Sequence, residues 1–140
     1  MNFLVDTNVF SELARPKPDG KVVAWLRTHE RDLYISTITI AEIRRGIESL
    51  PDGQRKIQLR TWLIELCSCM KGRILSFNTS TAHVWGQLKA GWDRNGLVTP
   101  SLDSQVAAIA HRHALTVVTR NTHDFEQAGV KLLNPFVDSP

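Results

Sequence analysis

Phe3-Leu4-Val5-Asp6-Thr7-Asn8 opens the chain with three apolar residues that run straight into a carboxylate. The run is continuous rather than alternating, the pattern of a strand covered on both faces. An acid directly after such a strand lies at the carboxyl edge of a parallel sheet, where open α/β folds bind ligands. Four more short runs follow: Leu33-Tyr34-Ile35, Ile74-Leu75-Ser76-Phe77, Thr116-Val117-Val118-Thr119 and Lys131-Leu132-Leu133. Helical stripes separate them. Leu59, Trp62, Leu63, Leu66 and Met70 recur at the spacing of a buried helix face, as do Ala82, Trp85, Leu88 and Trp92, and Leu102, Val106, Ile109 and Ala110. Strands alternating with helices predict an α/β fold, a parallel sheet between two helical layers.

The punctuation agrees. Arg15-Pro16-Lys17-Pro18-Asp19-Gly20 breaks a first short helix, and Leu50-Pro51-Asp52-Gly53 ends another. Neither stretch is long enough for a linker, and no repeat or low-complexity segment interrupts the chain, so residues 1–140 are expected to form one domain. No run approaches the roughly 18 apolar residues of a membrane span, and Asp6 comes too early for a signal peptide. A cytoplasmic protein without a membrane role is the expectation. Cys67 and Cys69, separated by one residue, read as reduced thiols without a function.

Four acids fall on the same sheet edge. Asp6 follows the first strand; Glu42 lies one to two helical turns beyond the second; Asp124 follows the fourth. Asp103 sits in the first turn of the helix that feeds the fourth strand, just after Pro100, and such a helix begins at the carboxyl edge. Alone, each has an ordinary explanation: Asp6 caps a helix, and Asp103 and Asp124 complement helix dipoles. Glu42 fits less easily. Ile40, Ile43, Ile47 and Leu50 form the buried face of its helix, Arg45 and Glu48 project opposite, and Glu42 on the flank has no evident cationic neighbour.

Together the acids repel one another unless a cation neutralises them. Oxygen ligands without His or Cys suit Mg²⁺, with Mn²⁺ as a substitute. The five histidines form no competing site: His111 and His113 point apart on a helix, and His29, His83 and His123 are scattered. With the four acids set aside, 17 basic residues face 10 remaining acidic ones, an excess of +7 that suits a polyanionic partner.

These segments resemble those of PIN domains, specifically VapC-type toxins of the FitB-like branch. The resemblance runs through Leu4–Leu13, Ser36–Ile47, Leu102–Ala110, Thr119–Phe125 and Asn134-Pro135-Phe136, in the family's order along nearly the whole chain. It implies a three-layer α/β/α PIN domain with a central parallel sheet, acting as a Mg²⁺- or Mn²⁺-dependent endoribonuclease. Asp6, Glu42 and Asp103 match the three principal acidic positions, and Asp124 a fourth that varies more. Asn8, Thr119 and Asn121 look like groups that orient ligands, and Arg120 and Arg44 are candidates for holding the RNA backbone.

The resemblance also implies a homodimer, held inactive by a cognate antitoxin whose other end binds operator DNA. Val22, Val23, Trp25 and Leu26 offer either interface or core. One alternative is a catalytically silent subunit acting only within an antitoxin–operator repressor complex. A receiver-type signalling domain also gathers acids at a sheet edge, but it needs a Lys after its last strand. Here that strand runs into Asn134-Pro135, with Lys131 at the opposite end.

Overall fold

A computed structural model describes residues 1–138; the last two residues of the expected domain lie outside the described ones. In chain order the elements are β1 (Phe3–Val5), α1 (Thr7–Glu12), α2 (Gly20–Thr28), a short 3₁₀ turn (Glu30–Asp32), β2 (Leu33–Ser36), α3 (Thr37–Glu48), α4 (Gln54–Cys69), β3 (Ile74–Leu75), α5 (Thr79–Arg94), α6 (Ser101–His113), β4 (Thr116–Val118), a second 3₁₀ turn (Thr122–Ala128) and β5 (Leu132–Leu133). The strands form one parallel sheet in the order β3-β2-β1-β4-β5. β1 sits at its centre, with Phe3 opposite Leu33 on one side and Thr116 on the other.

Successive strand side chains point to opposite faces, and here both faces are covered. Phe3, Val5, Leu33, Ile35 and Val118 pack with Val9 and Phe10 of α1, Val22, Trp25 and Leu26 of α2, Ile43 and Ile47 of α3, and Leu63 and Met70 of α4. Leu4 and Val117 pack on the other side with Trp92 of α5, Val106, Ala107, Ile109 and Ala110 of α6, and Phe125 of the second 3₁₀ turn. Two cores on one sheet make the three layers. Trp25, 1% exposed, belongs to the first core, as do Val22 and Leu26; these residues supply packing rather than interface.

The strand ends are shorter than the apolar runs. Ser76-Phe77, Thr119 and Lys131 lie outside the strands, although the Thr119 amide still donates to Leu133 O at 3.0 Å and keeps its register. β3 pairs only with β2, so Ile74 at this edge is partly exposed. Ala82 and Leu102 do not join the buried stripes expected of their helices; both are exposed, while Thr81 and Ser104 beside them are buried. Pro100 occupies the cap position one residue before α6, not its first turn. Among the described residues no helix is long and apolar enough to cross a membrane.

Side-chain caps set where the helices begin at the carboxyl edge. Ser36, the last residue of β2, accepts a hydrogen bond at its Oγ from the Thr39 amide at 3.0 Å. This starts α3 without an intervening loop and places Glu42 within its second turn. Trp85 of α5 donates through Nε1 to Ser104 Oγ at 2.9 Å, and Ser104 Oγ donates to Ser101 O. The first turn of α6, which carries Asp103, is thereby pinned to α5.

Candidate active site

Asp6 is the hinge between β1 and α1. Its amide continues the ladder by donating to Val118 O at 2.8 Å, while its side chain turns back to cap α1, Oδ1 accepting from the Thr7 amide at 2.8 Å. Oδ2 accepts from Thr119 Oγ1, also at 2.8 Å, across the sheet from a residue 113 positions away. Asp6 is only 5% exposed. Burial raises its proton affinity, the hydrogen bonds from Thr119 and Thr7 oppose that rise, and the Asp124 charge adds to it; the outcome lies above the ordinary carboxylate value.

Thr7 links this carboxylate to the next. Its Oγ1 donates to Glu42 Oε1 at 3.1 Å, so one residue holds Asp6 through its amide and Glu42 through its hydroxyl. Glu42 is half-buried, and its proton affinity is raised first by burial and then by Asp6, with Thr7 and Arg45 pulling the other way. Asp103 carries the largest perturbation, pushed up to about 7 by burial and then by the charges of Asp6, Asp124 and Glu42. Asp124, half-buried in the second 3₁₀ turn, acts on both Asp6 and Asp103. The structure therefore brings all four predicted acids into one electrostatic neighbourhood.

They form an open group rather than a closed cage. Among the described residues no three Asp, Glu, His or Cys side chains already stand close enough to ligate one ion together. The donor set nevertheless fits a hard divalent cation: every candidate ligand is an oxygen, and the neighbours that raise Asp103 are the groups a cation would offset. Oδ1 of Asp6 accepts only from the Thr7 amide and keeps a lone pair available, whereas Oδ2 accepts from Thr119 and, at 3.5 Å, from Asn8 Nδ2.

Of the predicted orienting groups, Thr119 is the best engaged. It is fully buried, donates to Asp6, and accepts from the Asn121 amide at 3.1 Å and from Asn8 Nδ2 at 3.3 Å. Asn8 braces the same corner, its Oδ1 accepting from the Arg120 amide at 2.9 Å. Asn121 contributes its backbone; its side chain makes no capping hydrogen bond. Thr119→Val keeps the shape and removes the hydroxyl that donates to Asp6 and accepts from Asn121 and Asn8. We expect it to lower catalytic activity about 10–100-fold with the fold intact, measured as RNA turnover beside a thermal melt; unchanged turnover would sink the orienting role.

The two predicted backbone-binding arginines are otherwise occupied. Arg44 Nε donates to Glu48 Oε2 at 2.8 Å in a surface network with Arg60. The Arg120 guanidinium lies 4.5 Å over the Phe136 ring. Thr7 and Arg45 are the site residues that sequence reasoning missed. Glu42 has a cationic neighbour after all: residues three apart on a helix are surface neighbours, and Arg45, Glu42, Ile38, Ala41 and Leu102 line one recess. The signal for Thr7 was its place directly after Asp6.

Known proteins carry the same arrangement of sequence. The PIN domain family matches residues 3–131. Toxin FitB of Neisseria gonorrhoeae is 39% identical over 137 residues, covering 96% of this chain and 99% of that protein. VapC ribonuclease Y4jK of Sinorhizobium fredii is 36% identical over 135 residues, covering 95% and 96%. Among solved structures, a chain of FitAB bound to an IR36 DNA fragment superposes with a TM-score of 0.90 at 36% identity, covering 99% of this chain and 98% of that one. The family match over residues 3–131 and these two relatives show that this chain belongs to the PIN domain family, on the branch of the FitB and VapC toxins.

Proposed function

We propose that this chain is the toxin of a toxin–antitoxin pair and acts as a divalent-metal-dependent endoribonuclease. The observation that carries the reading is the convergence of Asp6, Glu42, Asp103 and Asp124, from four separate segments, on one edge of the sheet, where Asp103 feels the other three. A VapC ribonuclease and a FitB toxin among the relatives support the same chemistry.

In this reading Asp6, Glu42, Asp103 and Asp124 hold Mg²⁺ or Mn²⁺. The bound ion supplies Lewis acidity, lowering the pKa of water and offsetting charge on the phosphoryl and leaving oxygens. The chain itself supplies position. Thr119 and the Thr7 amide fix the Asp6 carboxylate from two sides, and Thr7 Oγ1 holds Glu42 beside it. No side chain is required as nucleophile. A cognate antitoxin is the proposed inhibitor, carrying the pair to operator DNA, as FitAB bound to a DNA fragment suggests for its own case. The proposed substrate is cellular RNA, and the proposed setting is the cytoplasm.

The test is cleavage of RNA by the purified protein, with the ends sequenced. Cleavage in Mg²⁺ or Mn²⁺ leaving 5′-phosphate and 3′-hydroxyl ends, abolished by EDTA and restored by added Mn²⁺, is the expected result. Cyclic phosphate ends, or cleavage indifferent to EDTA, would overturn it.

A further inference from the structure

Attack on RNA by a cluster of acids poses an electrostatic problem: the phosphodiester backbone must approach carboxylates that repel it. A nearby cation not already committed to a protein carboxylate would ease that approach. Most cations around the site are engaged. Arg44 and Arg60 share Glu48, Lys56 pairs with Asp52, and Arg15 pairs with Glu12. Arg55 donates to Ala14 O, and Arg120 stacks on Phe136.

Arg45 differs from these. Among the described residues its guanidinium makes no salt bridge or side-chain hydrogen bond, it is exposed, and it lines a recess with Glu42. Its charge also opposes the raised proton affinity of Glu42. The rest of the recess is Ile38, Ala41 and the partly exposed Leu102. A cation beside an apolar wall matches a nucleotide, with the phosphate on the guanidinium and the sugar against the aliphatic surface.

Resting on the ribonuclease reading, we infer that Arg45 binds a backbone phosphate next to the scissile one and, with Leu102 and Ile38, forms the subsite that guides single-stranded RNA to the four acids. The guanidinium is suited to this, since its planar fork can hold two phosphate oxygens at once. Arg45 acts in binding rather than in bond breaking.

The experiment uses a fluorescent 20-nucleotide single-stranded RNA of mixed sequence and the full chain carrying Asp6→Asn to prevent cleavage. Affinity is measured across a salt series for this protein and for versions adding Arg45→Gln, Arg45→Lys or Arg44→Gln. Arg45→Gln should weaken binding about tenfold and reduce the slope of log affinity against log salt by about 0.7, the loss of one single-strand phosphate contact. Arg45→Lys should restore the slope while recovering part of the affinity, and Arg44→Gln should leave the slope unchanged. A purely structural role for Arg45 would not move the slope. Wild-type cleavage of the same RNA is followed in parallel. Cleavage by wild type with an unaltered slope in Arg45→Gln overturns the Arg45 assignment alone. No cleavage by wild type and no binding by any version overturns the nuclease reading and the subsite with it.

Discussion

Asp6→Asn is expected to reduce RNA cleavage more than about 100-fold without lowering thermal stability measured in EDTA. The activity estimate follows from position. Partners that only orient a metal ligand are typically worth 10–100-fold, and Asp6 is the carboxylate that two such partners, Thr119 and Thr7, hold in place. The stability estimate follows from sign. Burial and the Asp124 charge raise the proton affinity of Asp6 despite its hydrogen bonds, so the folded surroundings disfavour its ionised form relative to its neutral one. Asn resembles the neutral form. It keeps an Oδ1 for the Thr7 amide and removes one of the charges pressing on Asp103 and Glu42.

Asp6→Ala separates the two effects. It removes the α1 cap, worth about 1 kcal/mol, and leaves the buried Thr119 hydroxyl without its acceptor, costing roughly 1–3 kcal/mol. A drop in Tm of order 10 °C should accompany its loss of activity. Calorimetry of the two variants beside wild type checks this. If Asp6→Asn melted as early as Asp6→Ala, the Asp6 charge would be a structural asset rather than a form the folded surroundings disfavour.

What the sequence revealed of this site, and what it hid, has a physical division. Strand identity was legible because both faces of this sheet are covered: Phe3 and Val5 must be apolar for one core and Leu4 for the other. The edge on which each acid falls was legible because parallel connections leave no choice of direction. The distances between acids were not, since they depend on how repulsion settles against the packing of α3 and α6. Nor was the use of the arginines. Arg44 and Arg45 are adjacent in sequence but about 100° apart around α3, enough to send one to Glu48 and leave the other beside Glu42. Arg120 stands next to Thr119, yet its guanidinium packs on Phe136, 16 residues further along.

If the four acids hold a divalent ion as proposed, Asp103 is expected to make the site's metal affinity a function of pH. Its carboxyl is pushed up to about 7, whereas in the unfolded chain it returns to about 3.9. Between these values the folded state holds a proton that the unfolded state lacks, so stability in EDTA should fall as pH rises from about 4 to 7 and level off above. Asp6 and Glu42, also raised, act with the same sign. His113, lowered by burial and by Arg112, acts with the opposite sign below its ordinary value, and the comparison with Asp103→Asn removes its contribution. A divalent cation at these oxygens must displace the Asp103 proton below pH 7. The apparent Mn²⁺ affinity should therefore rise about tenfold per pH unit from 5.5 to about 7 and then plateau, roughly 30-fold in all. Asp103→Asn should bind weakly at every pH, with a flatter profile. Mn²⁺ titrations followed by calorimetry at pH 5.5, 6.5, 7.5 and 8.5 decide the matter without reference to catalysis. Equal affinity at pH 5.5 and 7.5 in the wild-type chain would mean that the metal displaces no proton from Asp103, and would overturn its assignment as a ligand.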